Sequence, residues 1–218
     1  MIRRFDPRLT LVTARAGSGG RPIDEIVAAA VRGGVTAVQL RDKSMPDDEL
    51  ARLAFKLKRL LEPLGVVLLV NDRVNVAAEA GAAGVHLGQR DASPAEARRV
   101  LGPAAVIGLS VETPAQAEAA EDLDVDYLGV SPVFSTPTKP DAGEPWGLAG
   151  LRDLRRRTKR VLVAIGGIGA DNAAAVLEAG ADGLAVVSAI CSAEDPEAAA
   201  RSIRAVIDGS LRSRGVKL

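Results

Sequence analysis

The stretch VVLLVNDRVNVAAEAGAAGVHLGQRD, residues 66–91, decides how the rest of the chain is read. Its first five residues are an unbroken apolar run, the pattern of a strand buried on both faces, and the polar Asn71, Asp72 and Arg73 follow where that run stops. A short helix comes next, with Gly81 placed to end it in the left-handed conformation, and then a second strand, 84–87, which delivers Gly88, Gln89 and Asp91. In a parallel sheet two such strand ends lie side by side. Asp72 and Asp91 are therefore expected to share one solvent pocket as a carboxylate pair suited to Mg²⁺.

Working outward, the same unit recurs. EAGAAGVHL at 79–87 and EAGADGLAV at 178–186 repeat one helix, glycine, strand joint. Strands are expected at 9–13, 36–40, 66–70, 84–87, 105–109, 126–130, 161–165 and 183–187, with helices between them. Eight strands alternating with helices predict a (β/α)₈ TIM barrel, α/β in class, as a single domain over 1–218 with frayed ends at 1–7 and 210–218. Leu50, Leu53, Leu57, Leu60, Leu61 and Leu64 recur at helical spacing as a core-facing stripe. Ser93, Pro94 and Glu96 form a capping box, which Thr113, Pro114 and Gln116 repeat. Those caps start their helices without help from Asp91 or Ser110.

Composition excludes several function classes. The 28 basic residues balance 28 acidic ones, and one Trp, one Tyr and three Phe offer no stacking platform for bases, so nucleic acid is not expected as a partner. No segment approaches the ~20 apolar residues that span a bilayer, so no membrane is expected either. The single Cys191 rules out an internal disulfide and the single His86 rules out a His-rich zinc site, which together fit a reducing cytoplasm. A homo-oligomer stays open.

Barrels of this kind build their sites from loops at the carboxyl ends of the strands, and the unusual polar residues collect there. Alternation puts Gln39 and Arg41 on the inward face, opposite Val38 and Leu40, with Lys43 just beyond. A strand-borne Gln and Arg pointing inward need a partner, and diphosphate oxygens would supply one; a solvated basic turn is the alternative. Helix capping is the alternative for Asn71 and Asp72. Gly166 and Gly167 after the seventh strand, with Val187 and Ser188 after the eighth, have the placement of a barrel phosphate site. The segment 131–147 is a long, proline-containing loop of the kind that binds something. His86 reads as a satisfied core histidine and is left outside the catalytic set, and Cys191 as a small packing residue.

VQLRDK at 38–43, NDRVNVA at 71–77, GVHLGQRD at 84–91, GLS at 108–110, PVFSTPTKPDAG at 132–143, AIGGI at 164–168 and AVVSAI at 185–190 together closely resemble the thiamine phosphate synthase family. AIGGI is common among phosphate-binding barrels; NDR, HLGQxD and TxTKPDA in this order are specific. The resemblance implies a transferase that joins hydroxymethylpyrimidine diphosphate to a thiazole phosphate, with Mg²⁺ assisting a dissociative loss of diphosphate. By position it implies that Gln39, Leu40, Arg41, Asp42, Lys43 and Asn71 contact the pyrimidine diphosphate, and that Asp72 and Asp91 hold the metal. Ser110 and Lys139 would meet the diphosphate, with Arg41 and Lys43 beside them in the catalytic set. Thr136, Pro137, Thr138, Gly167, Val187 and Ser188 would hold the thiazole phosphate. Two departures from the family pattern are Ser131, where Gly is usual, and Glu112, where many relatives have His. The second bears on the alternatives, a thiazole tautomerase that uses a histidine in this region or a non-catalytic barrel that binds a phosphate ester.

Overall fold

The computed structural model describes residues 5–15, 17–136 and 143–213. Eight parallel strands close into a barrel in sequence order: β1 (Leu9–Val12), β2 (Ala37–Leu40), β3 (Val67–Asn71), β4 (Gly84–Leu87), β5 (Val106–Val111), β6 (Tyr127–Val130), β7 (Val161–Ile165) and β8 (Gly183–Val186). β8 pairs back onto β1 through Leu11 and Val186, so no sheet edge is left open. The expected barrel is borne out, and each strand lies within a residue or two of its expected bounds.

The helices around it are α1 (Ile23–Arg32), α2 (Asp47–Leu61), α3 (Val74–Ala80), α4 (Pro94–Leu101), α5 (Pro114–Ala119), α6 (Gly147–Arg157), α7 (Ala173–Glu178), α8 (Ser188–Cys191) and α9 (Pro196–Ser213). Several termini have a local cause. Gly81 closes α3 at φ 61°. Ser93 and Glu96 form the full capping box at α4. At α5 only half of the box forms: Thr113 caps Gln116 N–H, while the Gln116 side chain accepts from Glu112 N–H instead. Asp195 Oδ1 accepts from the backbone N–H groups of Glu197 and Ala198 at the start of α9. None of the helices among the described residues is long and apolar enough to cross a membrane.

Two apolar layers result. The larger lies between strands and helices, where Val38, Leu40, Val70 and Leu87 meet Leu57, Ala77 and Ile203. The smaller fills the barrel itself with Val12, Leu69, Val106, Tyr127, Val163 and Ala185. Three details differ from expectation. The tail is helical through Ser213, with Leu211 buried against the core, so fraying from 210 is corrected over 210–213. Phe5, expected in a frayed end, stacks on Tyr127 at 4.8 Å and plugs the barrel floor. Leu64 is 60% exposed, because α2 ends at Leu61 and a 3₁₀ turn carries the chain off the helical stripe.

That break in the stripe is testable. Leu57→Ala should cost about 2–5 kcal/mol in urea unfolding, the range for deleting a fully buried leucine. Leu64→Ala should stay within about 0.5 kcal/mol of the parent.

Candidate active site

A cavity of about 600 Å³ opens at the carboxyl ends of the strands and reaches down between them. Its walls include Gln39, Arg41, Lys43, Asn71, Asp72 and Asp91, with Ser110 and Thr136 beside them and Gly167, Val187 and Ser188 opposite. The expected set therefore converges, with two exceptions among the described residues. Leu40 is 1% exposed and packs outward against the helices. Asp42 turns its carboxylate into its own loop, where it accepts from Ser44 N–H, Ser44 O–H and Met45 N–H. Pro137, Thr138 and Lys139 lie outside the described residues.

At the strand 3 and strand 4 ends, Asp72 is the one non-glycine residue with a positive φ, 63°, among the described residues. Left-handed backbone is strained for most side chains and tolerated best by Asn and Asp. Asp72 N–H donates to His86 C=O at 2.9 Å, which ties this turn to β4. Neither Asn71 nor Asp72 caps α3, whose N-cap is Arg73 with no side-chain bond, so the capping alternative falls. Asp91 Oδ2 accepts Gly88 N–H at 2.6 Å, which aims the second carboxylate at the first. Burial pushes the Asp72 carboxyl up to about 6, and a hydrogen bond and charge from Asp91 add to this; Lys43 and Arg41 pull it partly back. A carboxyl raised by burial and by a second carboxyl beside it is one that a nearby cation would relieve.

Arg73, given no role beforehand, staples the loop that carries Lys43. Its guanidinium donates to Met45 C=O at 2.6 Å, to Asp47 Oδ1 at 2.7 Å, and to the carbonyls of Asp42 and Lys43 at 3.2 Å. Such long-range side chain to backbone bonds leave no periodic mark in a sequence.

Across the cavity, Gly166 and Gly167 take φ of 106° and 64°. A Cβ at Gly167 would lie 2.9 Å from Phe134 Cβ and 3.0 Å from Ser135 C=O. A side chain there would thus displace the loop beside Thr136 before it reached any anion. Asn172 holds the turn by donating to Gly167 C=O at 2.9 Å and accepting Gly169 N–H at 3.0 Å. Ser188 begins α8, a four-residue helix that no sequence period announced. The first N–H groups of a helix have no intrahelical partner, so this end of the cavity offers donors to an anion. Arg21 closes the other end of α8 through the carbonyls of Cys191, Ala193 and Glu194. Cys191 is buried, as expected of a packing residue, and burial pushes its thiol up.

His86 is placed differently from expectation. Rather than standing in the core, it lines the cavity, with Nε2 2.8 Å from Ser110 Oγ and Nδ1 2.8 Å from Tyr127 Oη. Gln89 also joins the wall and donates to Ser110 C=O at 2.6 Å. Ser131 is 8% exposed and has no positive φ, so a side chain is tolerated where the family usually has glycine. Glu112 lies on the cavity wall.

A family model described as thiamine monophosphate synthase matches residues 9–190. The chain is 55% identical over 201 residues to a thiamine-phosphate synthase of Albidiferax ferrireducens, with 92% of each chain covered. It is 49% identical to one of Azorhizobium caulinodans, over 97% of this chain and 100% of that one. Among solved structures, thiamine phosphate pyrophosphorylase from Pyrococcus furiosus matches with TM-score 0.87 at 38% identity, over 95% of this chain and 98% of that one. A 3-hexulose-6-phosphate synthase at 17% identity and TM-score 0.67 shares the fold alone.

The carboxyl pair predicts an unusual stability profile. Asp72 titrates at 3.8 when unconstrained and at about 6 in the fold, so the folded state holds that proton more tightly. The stability it contributes is full below 3.8 and is lost as the pH rises through about 6. Asp72→Asn keeps the shape, suits the left-handed backbone and removes the charge. In the absence of divalent cations it should raise Tm by a few degrees at pH 7.5 and leave it unchanged near pH 4, as read by calorimetry.

Proposed function

The chain belongs to the thiamine monophosphate synthase family and is an enzyme of that activity. On that premise we propose that it condenses 4-amino-2-methyl-5-hydroxymethylpyrimidine diphosphate with a thiazole phosphate, giving thiamine phosphate and diphosphate. The observation that carries this is a single cavity with two unlike ends. One end sets the Asp72 and Asp91 carboxyls beside Arg41 and Lys43. The other is the glycine turn at Gly166 and Gly167 facing Ser188. A diphosphate suits the first and a phosphomonoester the second.

The donor set fits Mg²⁺. Asp91 crowds Asp72, whose raised carboxyl a cation would relieve, and among the described residues no group of three or more His, Cys, Asp or Glu side chains forms a closed cage. A hard divalent ion that takes one or two carboxylates and completes its shell with water and phosphate oxygens suits that arrangement. Asp72 and Asp91 would hold it, and when bound it would supply positive charge to the diphosphate oxygens.

The chain's own groups account for the remaining chemistry. Arg41 and Lys43 neutralise charge as it grows on the departing diphosphate, within a cavity where such donors are worth more than in water. The bond between the pyrimidine methylene carbon and the diphosphate oxygen breaks, and its electron pair leaves with the oxygen. The aminopyrimidine ring stabilises the methylene cation. The glycine turn holds the thiazole phosphate so that the ring nitrogen faces that carbon and its lone pair forms the new C–N bond. No protein nucleophile is required. By family resemblance Lys139 joins the diphosphate end, and Pro137 and Thr138 with Thr136 join the thiazole end.

Glu112 at the position of the tautomerase histidine argues against the thiazole tautomerase reading, since the chain's single histidine lies at 86.

The test is direct. Purified protein with both substrates and Mg²⁺ should form thiamine phosphate and diphosphate in equal amounts. Asp72→Asn and Asp91→Asn should each slow turnover by about 10² to 10⁴ and raise the Mg²⁺ needed for half-maximal rate. Near-normal rates with unchanged Mg²⁺ dependence in both variants would move the metal elsewhere.

A further inference from the structure

A serine hydroxyl carries one proton and two lone pairs, so its effect on an anion depends on where that proton points. For Ser110 the surroundings restrict the choice. His86 Nε2 lies 2.8 Å from Ser110 Oγ, and His86 Nδ1 lies 2.8 Å from Tyr127 Oη. The Gln39 side chain in turn comes up to the Tyr127 hydroxyl. Four residues from β2, β4, β5 and β6 thus form one chain from the barrel interior to the cavity.

A neutral imidazole has one N–H and one acceptor nitrogen, so this chain has two self-consistent directions. In one, Gln39 N–H donates to Tyr127, Tyr127 O–H donates to His86 Nδ1, and His86 Nε2–H donates to Ser110 Oγ. The Ser110 proton is then free for an anion. In the other every bond reverses, and Ser110 spends its proton on His86 and turns lone pairs toward the anion. The first direction is favoured. A hydroxyl donated to a charged oxygen is worth more than one donated to a neutral ring.

The barrel is built to hold this chain. A Cβ at Gly108 would fall 2.2 Å from Tyr127 Cζ, and one at Gly129 would fall 2.7 Å from His86 Cε1. Both rings therefore occupy space that only glycine leaves, and Phe5 stacked beneath Tyr127 closes the floor.

We propose that Gln39, Tyr127 and His86 form a directional hydrogen-bond relay that fixes His86 as its Nε2–H tautomer and so presents the Ser110 hydroxyl proton to the departing diphosphate. His86 and Tyr127 are positioning residues, acting through Ser110. The inference rests on the diphosphate reading of the cavity given above.

His86 is the chain's only histidine, so protein labelled with ¹⁵N in its imidazole and freed of any affinity tag reports one ring. The spectrum should show a proton on Nε2 and none on Nδ1, and the Nε2–H signal should move when inorganic diphosphate and Mg²⁺ are added. Tyr127→Phe keeps the ring in its slot; both tautomers should then appear, and kcat should fall about 2–10-fold with little change in KM for the pyrimidine diphosphate. His86→Gln, whose amide can still donate toward Ser110, should retain more kcat than His86→Ala. A proton on Nδ1 in protein that turns over would overturn the relay, as would a folded Tyr127→Phe with parental kcat or His86→Gln no better than His86→Ala. Failure of the parent protein to form thiamine phosphate would sink the diphosphate reading instead, and the tautomer measurement separates the two results.

Discussion

Two carboxyl groups that repel each other are held together at the ends of β3 and β4, and much of the cavity is arranged around that contact. The adjacency of the strands brings them near, and local bonds bring them into contact. Asp72 is fixed by its N–H to His86 C=O and by a left-handed backbone, Asp91 by Gly88 N–H. Backbone strain of this kind costs on the order of 1–3 kcal/mol and persists only where surrounding structure enforces it. The well-packed barrel supplies that enforcement, and the site accepts a local loss of stability in return for a place that attracts positive charge.

The opposing charge is placed by similar means. Arg41 directly follows β2, and Lys43 sits on a loop that would be free to swing without the Arg73 staple and the Asp42 turn. Asp42 and Arg73 thus serve the cavity from outside it. The glycine turn at 166–167 is held the same way by Asn172. Side chains that tie loops down let long cationic groups meet an anion without ordering a mobile segment at each binding event.

Inside the barrel the usual exchange of apolar bulk is interrupted. Gly108 and Gly129 remove Cβ atoms where Tyr127 and His86 must lie, so a polar chain runs through an otherwise apolar layer. Buried polar groups are costly unless every member is satisfied. The bonds of His86 to Tyr127 and Ser110, with the Gln39 side chain against the Tyr127 hydroxyl, serve that condition and join the barrel's interior to its mouth.

The sequence by itself determined the eight strands, because each is a short apolar run bounded by glycine or polar residues, and parallel strands buried on both faces permit little else. It also determined that Gln39 and Arg41 face inward and Leu40 outward, since alternation along a strand is fixed geometry. The pairing of Asp72 with Asp91 was legible because consecutive strands of a barrel are neighbours. Only the tertiary structure decided the rest. Leu64 left its stripe because a helix ended where periodicity continued. Arg73 became a loop anchor and Arg21 closed α8 through contacts between residues 26 to 173 positions apart, Asp42 turned back onto Ser44 and Met45, and α8 itself is too short to show a period. His86 passed from expected core residue to cavity wall because its partners, Tyr127 and Ser110, are 41 and 24 residues away and meet it only when the barrel closes. Periodicity records which way a side chain faces; what it faces is fixed by elements that arrive from elsewhere in the chain.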